Sequence, residues 1–88
     1  MIQNALFRDC LAAVSEEQKA EFELSFGIAE RISEILKAKN LTQKEFAHRL
    51  HKRESEISKW LTGRHNFTMQ TIAKIETTLG CKLINIAQ

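Results

Sequence analysis

Apolar side chains recur at helical spacing along almost the whole of this 88-residue chain, and no proline interrupts them. A chain patterned this way hides its apolar surface by packing amphipathic helices together. Ile2, Leu6, Phe7, Cys10, Leu11 and Val14 share one face of a first helix. Ser15 and Gln18 then form a capping-box pattern, and Glu16 and Glu17 suit the positive end of a new helix. That second segment carries Phe22, Phe26 and Ala29 on one stripe. Leu24, Ile28, Ile32, Ile35 and Leu36 form the adjoining one. Ser25 to Gly27 leaves open whether it is one helix or two. Asn40 reads as a left-handed stop.

The clearest local signal comes next. Thr42 is a capping residue with Glu45 three positions on, and Leu41 and Phe46 occupy the hydrophobic-staple positions. A short helix over 43–50 follows, with Phe46, Ala47 and Leu50 apolar. His51-Lys52 interrupts the pattern. A second short helix over 54–62 has Ile57, Trp60 and Leu61 apolar and ends at Gly63. Thr68 opens a last helix carrying Ile72, Ile75 and Leu79, with Gly80 as its stop. The tail from Cys81 to Ile86 is rich in branched apolar residues and reads as a short strand, which needs a partner to be stable.

Several function classes fall away. The longest apolar run, Cys10 to Val14, is five residues, against about 20 for a membrane helix. The N-terminus has no basic segment leading into an apolar core, so no secretory signal is expected. Cys10 and Cys81 stand 71 positions apart, which suits reduced, buried thiols in a cytoplasmic protein better than a disulfide framework. Charge is unevenly spread. Residues 1–34 hold three basic and seven acidic side chains, and residues 35–88 hold ten basic and four acidic ones. A basic half suggests an anionic partner such as nucleic acid.

Two short helices joined by three or four residues, among other small helices, form the plan of a helix-turn-helix. Ala47 gives the small side chain needed where the two helices approach. Ile57 and Trp60 lie on the inward face of the second, while Arg53, Glu54, Ser55, Ser58 and Lys59 point away. Such side chains reach base edges and phosphates in a major groove about 12 Å wide.

The stretch LTQKEFAHRL at 41–50, then SEISKWLTG at 55–63, resembles the Cro/cI-like (XRE) helix-turn-helix family. The continuation RHNFTMQTIAKIE at 64–76 is similar to a subgroup that includes HigA-like antitoxins. The resemblance covers roughly residues 26–80. It implies an all-α, compact five-helix bundle of λ-repressor-like type, with an N-terminal helical extension over 1–25 and a C-terminal tail or strand over 81–88. It also implies a homodimer that binds double-stranded DNA at a palindromic operator, with the 54–62 helix in the major groove. Carried over by position, Gln43 hydrogen-bonds a phosphate and Arg53, Glu54, Ser55 and Lys59 face base edges. Ser58 lies at the groove margin, and Arg64 and Asn66 meet the backbone beyond the recognition helix. His51 departs from the family, which usually has glycine there; a left-handed conformation is tolerable for histidine but uncommon, so the turn geometry does not carry over.

Other residues have plainer readings. Glu56 is an exposed helical residue paired with a nearby cation, and Trp60 is core. His48, His51 and His65 lack the ligand set of a metal site. No nucleophile–base pair, glycine-rich phosphate loop or paired carboxylates point to catalysis, and no cofactor is expected. Two functions remain: a sequence-specific transcriptional regulator, and an antitoxin that neutralises a toxin protein while repressing its own operon. In the second, the acidic N-terminal part docks on a basic toxin. The first helix has few cations, which argues against membrane-surface binding.

Overall fold

The computed structural model describes residues 14–87. Four helices follow one another: α1 (Glu16–Ala38), α2 (Gln43–Leu50), α3 (Glu54–Trp60) and α4 (Met69–Leu79). No strand is present among the described residues. The described residues thus form four helices and not the expected five-helix bundle, and the first helix expected before Ser15 lies outside them.

Local chemistry sets the helix ends. The Ser15 hydroxyl accepts from the Gln18 backbone N–H at 3.1 Å, and the Gln18 side chain accepts from the Ser15 N–H at 3.0 Å. Thr42 and Glu45 close the same reciprocal pair at the start of α2, at 3.0 and 3.2 Å. Each pair satisfies two donors that a helix start leaves orphaned. Asn40, at φ +59°, ends the α1 turn in the left-handed region. The Leu41 N–H then reaches back to the Leu36 carbonyl at 2.8 Å, as a Schellman stop requires. Helix α1 runs unbroken across Ser25 to Gly27. Its first half, residues 16–24, is exposed throughout. Burial begins at Ser25 and continues through Ile28, Ala29, Ile32, Ile35 and Leu36.

The core draws on every helix. Ile32 of α1, Phe46 and Leu50 of α2, Ile57 of α3 and Ile75 of α4 are fully buried. Ile28, Ile35, Leu36, Ala47, Trp60, Phe67, Ile72, Leu79 and Leu83 complete the cluster.

The tail corrects the expectation of a strand. The Leu83 and Ile84 N–H groups donate to the Glu76 carboxylate at 2.8 and 3.3 Å. The Lys82 carbonyl accepts from Arg31 Nε of α1 at 3.2 Å. Backbone groups that a strand would pair with a neighbour are thus satisfied by side chains of α4 and α1. Leu83 is carried into the core as a plug. These bonds hold the Glu76 carboxyl below its ordinary pKa, chiefly through the Leu83 N–H, with Ile84 and Lys82 adding to it. No helix among the described residues is long and apolar enough to cross a membrane.

Candidate nucleic-acid interface

Helices α2 and α3 are set by the turn between them. His51 caps α2 at φ +57°, ψ +41°, and the Lys52 N–H bonds the Ala47 carbonyl at 2.9 Å. The histidine thus takes the left-handed conformation in the family's glycine position, at a steric cost that glycine would avoid. Helix α3 starts at Arg53, whose side chain makes no capping bond. A guanidinium has no acceptor to offer the helix N–H groups, and among the described residues Arg53 forms no ion pair within 4.0 Å.

Seven residues of α3 divide cleanly by the helical repeat. Ile57 and Trp60 turn inward, while Glu54, Ser55, Ser58 and Lys59 are exposed on the opposite side. The helix ends two residues earlier than the 54–62 expectation. The Thr62 hydroxyl donates to the Lys59 carbonyl at 2.7 Å, and the N–H groups of Thr62 and Gly63 bond three residues back. These tight bonds turn the last residues out of the α-helical ladder.

One contact joins the two helices on their exposed side. The Ser58 hydroxyl donates to Gln43 Oε1 at 3.0 Å. It holds the Gln43 amide beside α3 and leaves the two amide N–H donors available. Glu56 is half-buried, and its carboxylate stands 4.0 Å from Lys52 Nζ, the pairing expected for it.

The exit from α3 is held by Phe26, His65 and Phe67, side chains that sequence reasoning gave no part in the site. Gly63, at φ +85°, lies directly beneath the Phe26 ring of α1, and a β-carbon there would overlap that ring. Beyond it, side chains alternate. Arg64 and Asn66 are exposed, His65 is half-buried and Phe67 is buried. The His65 ring packs 4.7 Å from Phe67, edge to face, and 5.7 Å from Trp60. These aromatic contacts anchor the segment and present Arg64 and Asn66 outward. The in–out alternation over 64–67 is an extended-chain signal legible beforehand.

All eight expected site residues are exposed. The Ser58–Gln43 bond brings two of them into contact, and Glu54, Ser55, Ser58 and Lys59 share one helix face. Arg53 stands at that helix's cap, and Arg64 and Asn66 lie on its exit. Among the described residues, no group of three or more His, Cys, Asp and Glu side chains is arranged to hold a metal ion. Cys81 is a half-buried free thiol, and Cys10 lies outside the described residues.

A family model described as helix-turn-helix matches residues 32–84, from the buried half of α1 through the tail. No curated protein and no solved structure matches the chain. The match spans more than half of the chain and contains the α2–turn–α3 unit whole, so the chain belongs to the helix-turn-helix family, of the Cro/cI-like (XRE) type.

Proposed function

We propose that the protein is a sequence-specific DNA-binding transcriptional regulator that reads a palindromic operator as a homodimer. The observation that carries this reading is the division of α3: Ile57 and Trp60 are sealed in the core while Glu54, Ser55, Ser58 and Lys59 stand free. Position on the duplex comes from phosphate contacts, and sequence from base edges. Gln43, held by Ser58, donates its amide hydrogens to a phosphate. Arg64 and Asn66 take the backbone where the chain leaves the groove. Arg53 and Lys59 reach guanine O6 and N7, Glu54 accepts from cytosine N4, and Ser55 and Ser58 bond whichever edge they meet. One α3 reads only a few base pairs, so two copies about 34 Å apart are needed for useful affinity. This chemistry requires no catalytic step and no cofactor.

Selection of bound duplexes from a random library, at two salt concentrations, tests the reading. A recurrent palindrome is expected, with binding that weakens as salt rises and weakens further in Lys59→Ala. Recovery of unrelated sequences, or affinity indifferent to both salt and Lys59, overturns it.

The antitoxin reading draws on a different feature. The exposed first half of α1 displays Phe22 and Leu24, 48% and 65% exposed, among Glu16, Glu17, Glu21 and Glu23. An apolar surface ringed by carboxylates suits a basic partner such as a phosphate-binding ribonuclease. Co-expression with the product of a short, basic, adjacent reading frame tests it. Protection by the wild-type chain, lost in Phe22→Ser/Leu24→Ser, supports this reading; equal protection by both removes α1 from it.

A further inference from the structure

The side of α2 turned away from the core has no part in the contacts above, yet its charges are unusual. Lys44 and His48 stand one turn apart, Arg49 follows, and Lys52 lies just past the left-handed turn. Together with Ala47, Glu45 and Glu54 they line an open depression of about 580 Å³.

Three carboxylates stand nearby, Glu45, Glu54 and Glu56, and none of them forms an ion pair within 4.0 Å with Lys44 or Arg49. The Glu45 carboxylate is taken up by the Thr42 N–H. Arg49 is near enough to help keep that carboxyl ionised, but outside ion-pair distance. Lys52 is shared with Glu56 across 4.0 Å. Among the described residues, Lys44 and Arg49 form no ion pair within 4.0 Å. Both are exposed and free to move toward an anion.

The position of the depression selects the anion. It shares Glu54, the first residue of α3, with the base-reading face. Lys44 directly follows Gln43, which is tied to Ser58 on that face. A duplex seated on α3 carries a phosphate strand along each side of its major groove, and the depression borders that groove on the α2 side.

We propose that Lys44, His48, Arg49 and Lys52 bind phosphodiester groups of the DNA flanking the half-site, beyond the base pairs that α3 reads. The proposal rests on the DNA-binding reading and extends it. The contacts add affinity and length of footprint but no sequence preference. Arg49 grips two phosphate oxygens at once, and Lys44 acts as a point charge.

The test uses the duplex selected above in two forms: one trimmed to the recognised base pairs, the other extended by about ten base pairs, one helical turn, on each side. Affinity is measured against salt for the wild type and for Lys44→Ala/Arg49→Ala. Each phosphate neutralised contributes about 0.9 to the slope of log K against log salt. On the extended duplex the double variant is expected to show a slope shallower by about two units per protomer. On the trimmed duplex the two proteins should give one slope. A variant that keeps the full slope on the extended duplex overturns the proposal, and so does an equal loss on both duplexes. Failure of the wild type to bind any duplex overturns the DNA reading itself. Both substitutions lie on the exposed surface, and matching melting curves verify that the fold is intact.

Discussion

Gly63 is the position where one added methyl group should do most damage. Its φ of +85° is left-handed, and its α-carbon lies against the Phe26 ring. The backbone alone costs an L residue about 1–2 kcal/mol in that conformation. Moving the ring adds a second cost. Phe26 is 52% exposed, so about 100 Å² of its surface is covered, worth up to about 2.5 kcal/mol at about 25 cal/mol per Å². Gly63→Ala is therefore expected to lose about 2–4 kcal/mol of stability. In a Phe26→Ala background the ring is already gone, and the same substitution should lose only the backbone part, about 1–2 kcal/mol. The four proteins of this cycle can be unfolded in urea and followed by the fluorescence of Trp60, the single tryptophan. Equal losses in both backgrounds would refute the contact between α1 and the exit of α3 as the reason glycine is required there.

Other consequences are more local. His51→Gly should stabilise the chain by about 0.5–1 kcal/mol, because relief of the left-handed strain exceeds the extra freedom glycine gains when unfolded; a lower melting temperature would contradict that. Ser58→Ala should leave stability nearly unchanged and weaken DNA binding without changing its salt dependence, since it releases the neutral Gln43 amide, whose phosphate contact displaces no counterion. The Glu76 carboxyl has a folded pKa below its unfolded value. Its hold on the tail should thus be complete above the ordinary carboxylate range and lost as pH falls through the depressed value. Hydrogen exchange at the Leu83 amide reads this directly, and in Glu76→Gln the acid-dependent step should vanish. Leu83→Ala should lose about 2–4 kcal/mol, as expected for a buried leucine, whereas a tail that merely rests on the surface would lose almost nothing in a thermal melt.

Short-range chemistry made much of this protein readable from the chain alone. The caps at Ser15, Thr42 and Thr68, the left-handed stop at Asn40, and the inward pair Ile57 and Trp60 all depend on residues a few positions apart. Their outcome is written in hydrogen-bonding groups and helical period. The exposed face of α3 followed, because burying one side of a short helix frees the other. The 41–63 pattern also carried the family resemblance. The DNA contacts assigned to that face come from the resemblance and await their test.

Tertiary structure decided whatever joined residues far apart. Ser25 to Gly27 was ambiguous locally, and α1 stays whole because its second half is buried against the other helices. The tail has strand-like composition, but a strand requires paired backbone donors. Those at Leu83 and Ile84 found Glu76 instead, while Arg31 took the Lys82 carbonyl from 51 positions away. Phe26 over Gly63, and Gln43 on Ser58, belong to the same class. Each arises only once the helices have packed, because no local preference encodes which side chain will meet which backbone across the core.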